Sequence, residues 1–137
     1  MTHEEQAITD TFRSYIDSFQ TLQPGNVLRY CHAPFLFISS QGVRMMADLK
    51  ELEELIGRLM ASLKARDFSR SEITGMRVSQ LSDNTAFVSV SRVRYKTDGQ
   101  ELERIGETYI LQKISDAWKI VTAITHDPDS ILASARI

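Results

Sequence analysis

Thr85-Ala-Phe-Val-Ser-Val-Ser-Arg-Val-Arg-Tyr95, then Asp98-Gly99, then Glu101-Leu-Glu-Arg-Ile-Gly-Glu-Thr-Tyr-Ile-Leu111 decide the fold of this chain. The first run is rich in β-branched and aromatic residues, which suit a pleated, half-buried surface, and the second is strand-like as well. The Asp-Gly pair between them is a hairpin signal, because both residues tolerate positive φ. Ser82-Asp83-Asn84 and Ser115-Asp116-Ala117 mark two further turns, held by short polar side chains that bond nearby backbone. Four consecutive antiparallel strands are predicted at about residues 73–81, 85–97, 101–114 and 118–126. Long antiparallel strands twist and coil, so a curved sheet with a concave face is expected.

The chain before this sheet reads as helices made to cover it. Thr2-x-x-Glu5 is a capping box. Ile8, Phe12, Tyr15, Ile16, Phe19 and Leu22 follow at helical spacing. Pro24-Gly25 is expected to end this helix near Thr21, and Asn26 to cap a second, short one over 27–31. Pro34 is expected to stop that helix. Phe35-Leu-Phe-Ile-Ser39 and Val43-Arg-Met-Met46, joined at Gln41-Gly42, read as two short strands. Asp48 with Glu51 opens a third helix, whose apolar face carries Leu49, Leu52, Leu55, Ile56, Leu59, Met60 and Leu63. Glu54 and Arg58 are expected to pair on its outer face, and Gly57 to mark a close approach to another backbone. Helices segregated to one face of an antiparallel sheet define an α+β domain.

Composition bounds the function classes. The 137 residues fit one domain, residues 1–137, and 42% apolar with 25% charged residues is an ordinary globular balance. A formal net charge of −2 offers no surplus to neutralise phosphates, so no nucleic-acid partner is expected. Cys31 is the sole cysteine and reads as a small buried hydrophobe. No metal site is expected, since His3, His32 and His126 are scattered and no ligand spacing recurs. No apolar run reaches membrane-spanning length, so no membrane partner is expected. Met1 to Glu5 lacks the basic and apolar regions of a signal peptide, and the protein is expected in the cytoplasm.

Three stretches carry a family likeness. Tyr15 and Phe19 on the first helix are followed at once by the short helix; Tyr30-Cys-His-Ala-Pro34-Phe leads into Ser39-Ser-Gln-Gly42-Val43; and Asp116-Ala-Trp118-Lys-Ile120-Val opens the last strand. In these features the chain resembles the nuclear-transport-factor-like superfamily, over about residues 5–126. Members include ketosteroid isomerase, scytalone dehydratase and SnoaL-like polyketide cyclases. The resemblance implies a cystatin-like cone: a strongly curved antiparallel sheet of four long strands plus one or two short N-terminal strands, wrapped on three N-terminal helices. It implies a pocket between helices and sheet, and a homodimer formed through the outer sheet face. The superfamily hosts enzymes, binders and association domains, so the likeness alone names no activity.

Strand alternation sorts the candidate residues without choosing which face looks inward. Val88, Val90, Arg92 and Arg94 share one face of their strand, and Glu103, Ile105, Glu107, Tyr109 and Leu111 one face of the next. Counting from the Asp98-Gly99 turn places Arg94 near Arg104 and Arg92 near Gly106–Thr108. Such charges most often form a solvated ladder, which is the expectation here. Facing inward, Arg92 and Glu107 would instead be a recognition pair, with Glu107 a candidate acid or base. His126, in phase with Trp118, Ile120 and Ile124, is either a general acid or base or a strand-end imidazole bonded to backbone; the second is the commoner arrangement. His32 reaches the pocket mouth or caps the short helix, with capping favoured. Tyr15, Phe19, Tyr30, Phe35, Phe37, Leu59, Arg92, Tyr109 and Trp118 are the expected pocket lining. These readings lead to a small-molecule pocket protein that needs no cofactor, either a binder of a small apolar or aromatic ligand or a lyase, isomerase or cyclase. The alternative is a homodimeric association domain with a packed interior.

Overall fold

The computed structural model of the chain describes residues 1–131. Helix α1 (His3–Ser18) starts at a complete capping box: Glu5 N–H donates to Thr2 Oγ1 at 3.0 Å, and Thr2 N–H to Glu5 Oε1 at 3.1 Å. A 3-10 turn (Phe19–Thr21) follows, and the chain reverses at Leu22, whose φ is 53°. Pro24 therefore does not end the first helix. It opens the second, α2 (Pro24–Leu28), because its fixed φ suits a first helical position and it has no N–H to leave unpaired. Asn26 is not the cap expected of it; its amide instead reaches Thr21 Oγ1 at 3.1 Å.

Strand β1 (Cys31–Ser39) begins earlier than expected and carries Pro34 within it. β1 forms a hairpin with β2 (Gly42–Met46). Helix α3 (Leu49–Ala65) is capped by Asp48, whose Oδ1 accepts from Glu51 N–H at 2.9 Å. The long strands are β3 (Phe68–Gln80), β4 (Thr85–Lys96), β5 (Glu101–Ile114) and β6 (Ala117–His126). β3 thus starts five residues before the expected strand: Asp67, at φ 64°, turns the chain and sends Phe68 into the core.

The sheet order is β2-β1-β6-β5-β4-β3. Every pairing is antiparallel except β1 on β6, which is parallel. The fold is α+β, with helices on one face of a curved, open six-stranded sheet. Ile8, Phe12, Tyr15 and Ile16 of α1 and Leu52, Ile56, Met60 and Leu63 of α3 meet Val88, Val90, Tyr109, Leu111 and Ile120 of the sheet in one core. Gly57 does not meet another backbone; a Cβ there would touch only Pro24 Cγ, at 3.8 Å.

Two irregularities decide where side chains point. The β4–β5 turn is three residues long, Thr97–Asp98–Gly99, closed by Lys96 N–H to Gln100 O at 2.8 Å. One more residue is absorbed between the Tyr95↔Glu101 and Arg94↔Glu103 pairs, so Arg94 faces Glu103 and Arg92 faces Ile105, not the partners counted from the sequence. In β6 the register shifts between Ile110↔Thr122 and Leu111↔Ile120, a bulge at Val121. A bulge reverses alternation beyond it. Trp118 and Ile120 therefore face the helices, but so do Ala123 and Thr125, whereas Thr122, Ile124 and His126 face away.

Candidate functional site

The concave face of β4 and β5 carries apolar side chains as far as Val90 and Tyr109, and then changes character. Arg92 and Glu107 come next, in the same phase as those core residues, and are only 3% and 7% exposed. The solvated ladder expected from the sequence is not what forms. Arg92 Nε donates to Glu107 Oε1 at 3.1 Å, Nη2 closes on the same oxygen, and Nη1 donates to Ser71 Oγ at 3.1 Å. Burial, the largest single influence, would lower the Arg92 pKa, but the Glu107 carboxylate together with the Tyr109 and Tyr15 phenols outweighs it and raises the guanidinium above its ordinary value. Both bonds use Oε1. Arg94, also nearly buried, donates from Nη1 to Glu103 Oε2 at 2.7 Å, while Arg66 holds Oε1 at 2.9 Å. Arg94 Nε has no partner among the described residues. A buried donor left unmet costs about 1–3 kcal/mol.

These charges look into a cavity of about 310 Å³ between helices and sheet. Its wall is formed by Tyr15 and Phe19 from α1 and the 3-10 turn, by Cys31, Phe35 and Phe37 from β1, by Ala123 from β6, and by Leu52, Leu55, Ile56 and Leu59 from α3. Arg44 and Arg58 join Arg92, Arg94 and Glu107 as its charged lining. Strand register explains Arg44: it lies opposite Phe37, and the two share the concave face. Arg58 does not pair with Glu54, and neither Arg44 nor Arg58 has an ion-pair partner within 4 Å among the described residues. Both are exposed, with Leu59, and form the mouth.

The remaining expected lining is placed elsewhere. Tyr109 is fully buried behind the cavity, with its ring 4.9 Å from Phe12 and 5.5 Å from Tyr15 and its hydroxyl unpartnered among the described residues. Trp118 sits at the far end of β6, where its Nε1 donates to Glu4 Oε1 at 3.3 Å. Tyr30 is half-buried beside the core and contributes its backbone carbonyl to Ile120 N–H at 2.8 Å. His32 is neither a cap nor at the cavity mouth; it stands in β1 on the convex side, with Pro34, Leu36 and Thr122. His126 also lies on the convex side, through the bulge at Val121. Its Nδ1 donates to Asp127 O at 2.8 Å, and its Nε2 shares a hydrogen bond with Thr108 Oγ1 at 2.7 Å. Gly106 makes room for this, since a Cβ there would come within 2.5 Å of Asp127 O.

The cavity's neutral polar groups are held protonated. Burial, followed by the Tyr109 and Cys31 neighbours, pushes the Tyr15 phenol well above its ordinary value. Burial likewise pushes the Cys31 thiol up to about 12. Tyr15 is thus a hydrogen-bond donor, and Cys31 a poor nucleophile near neutral pH. No group of three or more His, Cys, Asp or Glu side chains able to hold a metal ion occurs among the described residues. The described helices include none long and apolar enough to cross a membrane. Arg44, Arg58 and Arg94 were not expected in the lining. Arg94 shares a face with Arg92 two residues before it, and Arg58 follows Leu55 by one helical turn; those spacings were the available signal.

The architecture is that of an α+β domain with helices on one face of a curved, open six-stranded sheet. The chain belongs to the NTF2-like protein family DUF6841, whose model matches residues 4–128. A search of curated proteins found no match. Among solved structures, a protein with a cystatin-like fold from Nostoc punctiforme is similar at TM-score 0.72 and 12% identity, covering 91% of this chain and 92% of the other. A provisionally assigned dehydratase of the NTF2-like family from Streptomyces avermitilis aligns at TM-score 0.70 and 12% identity, over 89% of this chain and 94% of its own. A provisionally assigned ketosteroid isomerase from Shewanella frigidimarina aligns at TM-score 0.70 and 16% identity, over 88% and 94%. At such identities the likeness is one of fold.

Proposed function

We propose that this is a small-molecule pocket protein, which takes a small ligand with an apolar or aromatic body into the cavity and needs no cofactor to do so. The observation that carries this reading is Glu107. One of its oxygens is clamped by Arg92, and the carboxylate stands at the wall of a mostly apolar hollow. Pockets of this size, with few convergent polar groups, are the usual form of a ligand site. A carboxylate so placed can accept a hydrogen bond from a ligand hydroxyl or N–H, or a proton from a carbon acid, with Tyr15 a neutral donor in the same wall. The provisional dehydratase and isomerase assignments of two structural neighbours lend support to the chemical branch of this reading. The test is a ¹⁵N-NMR screen of the full chain against small aromatic and aliphatic compounds. Shifts clustered on Tyr15, Phe35, Ile56 and Glu107 are expected; an interior that no compound perturbs would defeat the reading. If a bound compound is turned over, E107Q is expected to slow it by roughly 100-fold or more.

A second copy of the chain on the convex sheet face is part of the same proposal. Leu36 lies opposite Met45 and Ile38 opposite Val43, so these four apolar side chains share that face, and Leu36, Val43 and Met45 are exposed. Light scattering after size exclusion is expected to give a dimer mass, and M45E to give a monomer; a monomeric parent chain would remove this part.

A further inference from the structure

Four guanidinium groups face one carboxylate around the cavity, on a chain whose formal net charge is −2. The excess is not a surface accident. Arg44 occupies a concave-face position opposite Phe37, and Arg58 lines the hollow rather than meeting Glu54. Both are without an ion-pair partner among the described residues. Arg94 adds an independent sign: it is only 8% exposed, it lines the same cavity, and its Nε meets no acceptor among the described residues. Two guanidinium groups without an ion-pair partner at the mouth, with the Arg94 side chain adding positive charge in the wall, are a donor set waiting for an acceptor.

We propose that the ligand is a small organic acid, with its carboxylate held at the mouth by Arg44 and Arg58 and its apolar body against Phe19, Phe35 and Ile56. This rests on the pocket reading above and names the ligand class for the same cavity. Guanidinium groups match a carboxylate in plane and charge. The apolar wall favours a single negative charge, because a dianion loses far more hydration when drawn into such a space. Arg92 is not available to the ligand in the same way, since Glu107 already takes two of its N–H groups. The Glu107 carboxylate repels a second carboxylate nearby and accepts from a donor, so the acid end is directed to the mouth and any hydroxyl or amine to the interior.

The experiment is isothermal titration of the full chain with four matched acid and amide pairs: benzoate, 3-phenylpropanoate, octanoate and indole-3-acetate, each against its amide. NMR locates the site. At least one acid is expected to bind about tenfold more tightly than its amide, with that advantage shrinking as salt screens the mouth. R44Q/R58Q, both at exposed positions, is expected to remove most of the acid's advantage over its amide with the melting temperature unchanged. Amides that bind in the cavity as tightly as their acids would overturn the acid assignment and leave the pocket reading standing. Acids that keep their full advantage in R44Q/R58Q would overturn it too, since the charge would then be read elsewhere. If neither acids nor amides perturb the cavity residues, the pocket reading fails and this inference with it.

Discussion

Replacing Glu107 by Leu should strand the Arg92 guanidinium in the interior. Arg92 is 3% exposed and makes three hydrogen bonds, two of them to Glu107. Its pKa is held above the ordinary arginine value, so it cannot shed the charge near neutral pH. Removing one partner of a buried pair costs about 3–5 kcal/mol. A domain of this size has a stability of about 5–15 kcal/mol, so the loss is a large share of the total. It corresponds to a fall in melting temperature of roughly 10–20 °C. R92M alone should cost a similar amount, because the Glu107 carboxylate is then the unpaired charge. R92M/E107L should recover most of the loss, since two apolar side chains of similar volume need no compensation. Urea unfolding of the four proteins, followed by circular dichroism, gives the coupling energy directly. Single variants that each cost under about 1 kcal/mol, or a double variant equal to their sum, would show that solvent reaches the pair and that it is not the clamped site described above.

Three further outcomes follow from single positions. G57A should stabilise the chain by about 0.5–1 kcal/mol, since α3 gains helix propensity and the new Cβ meets only Pro24 Cγ at 3.8 Å; a lower midpoint in urea would mean that α3 is packed more tightly there than it looks. G106A should destabilise by about 1–3 kcal/mol and speed amide exchange around His126, because its Cβ would lie 2.5 Å from Asp127 O; unchanged exchange would contradict the close approach. Burial raises the Glu103 pKa, but bonds from Arg94 and Arg66 more than offset this and leave it lowered from its ordinary 4.5. The group therefore binds protons more readily unfolded than folded, so its contribution is present above pH 4.5 and is lost as pH falls through the lowered folded value. E103Q should flatten the stability profile in that acid window, and an unchanged slope there would count against the Arg94–Glu103–Arg66 cluster.

Much of the architecture was legible because turns are written in local chemistry. Asp98-Gly99, Ser82-Asp83-Asn84 and Ser115-Asp116 each mark a reversal, and the residues between them must be strands. Backbone irregularities were not legible. Nothing in Val121-Thr122 announces a bulge, yet that bulge sends His126 to the opposite face from Trp118. The extra residue beyond the β4–β5 turn is equally unmarked and moves Arg94 from Arg104 to Glu103. Pro24 was ambiguous in principle, since the same ring that ends one helix starts another. The inward face of Arg92 and Glu107 could have been read from phase: Arg92 follows Val88 and Val90, Glu107 precedes Tyr109 and Leu111, and opposite charges in the apolar phase of two adjacent strands point to a buried pair. What weighed against it was the general cost of burying charge.

The parallel pairing of β1 with β6 has a consequence for how the protein is made. β1 cannot find its neighbour until β6 has left the ribosome, because Phe37 pairs with Ala123 and Ile38 with Ile124. Until then the β1–β2 hairpin shows an unsatisfied rim, and an incomplete chain with such a rim is prone to wrong partners. Closing so distant a pair is entropically slow. The last strand is thus the latch of the whole assembly, and chains stalled before it should be clients for chaperones.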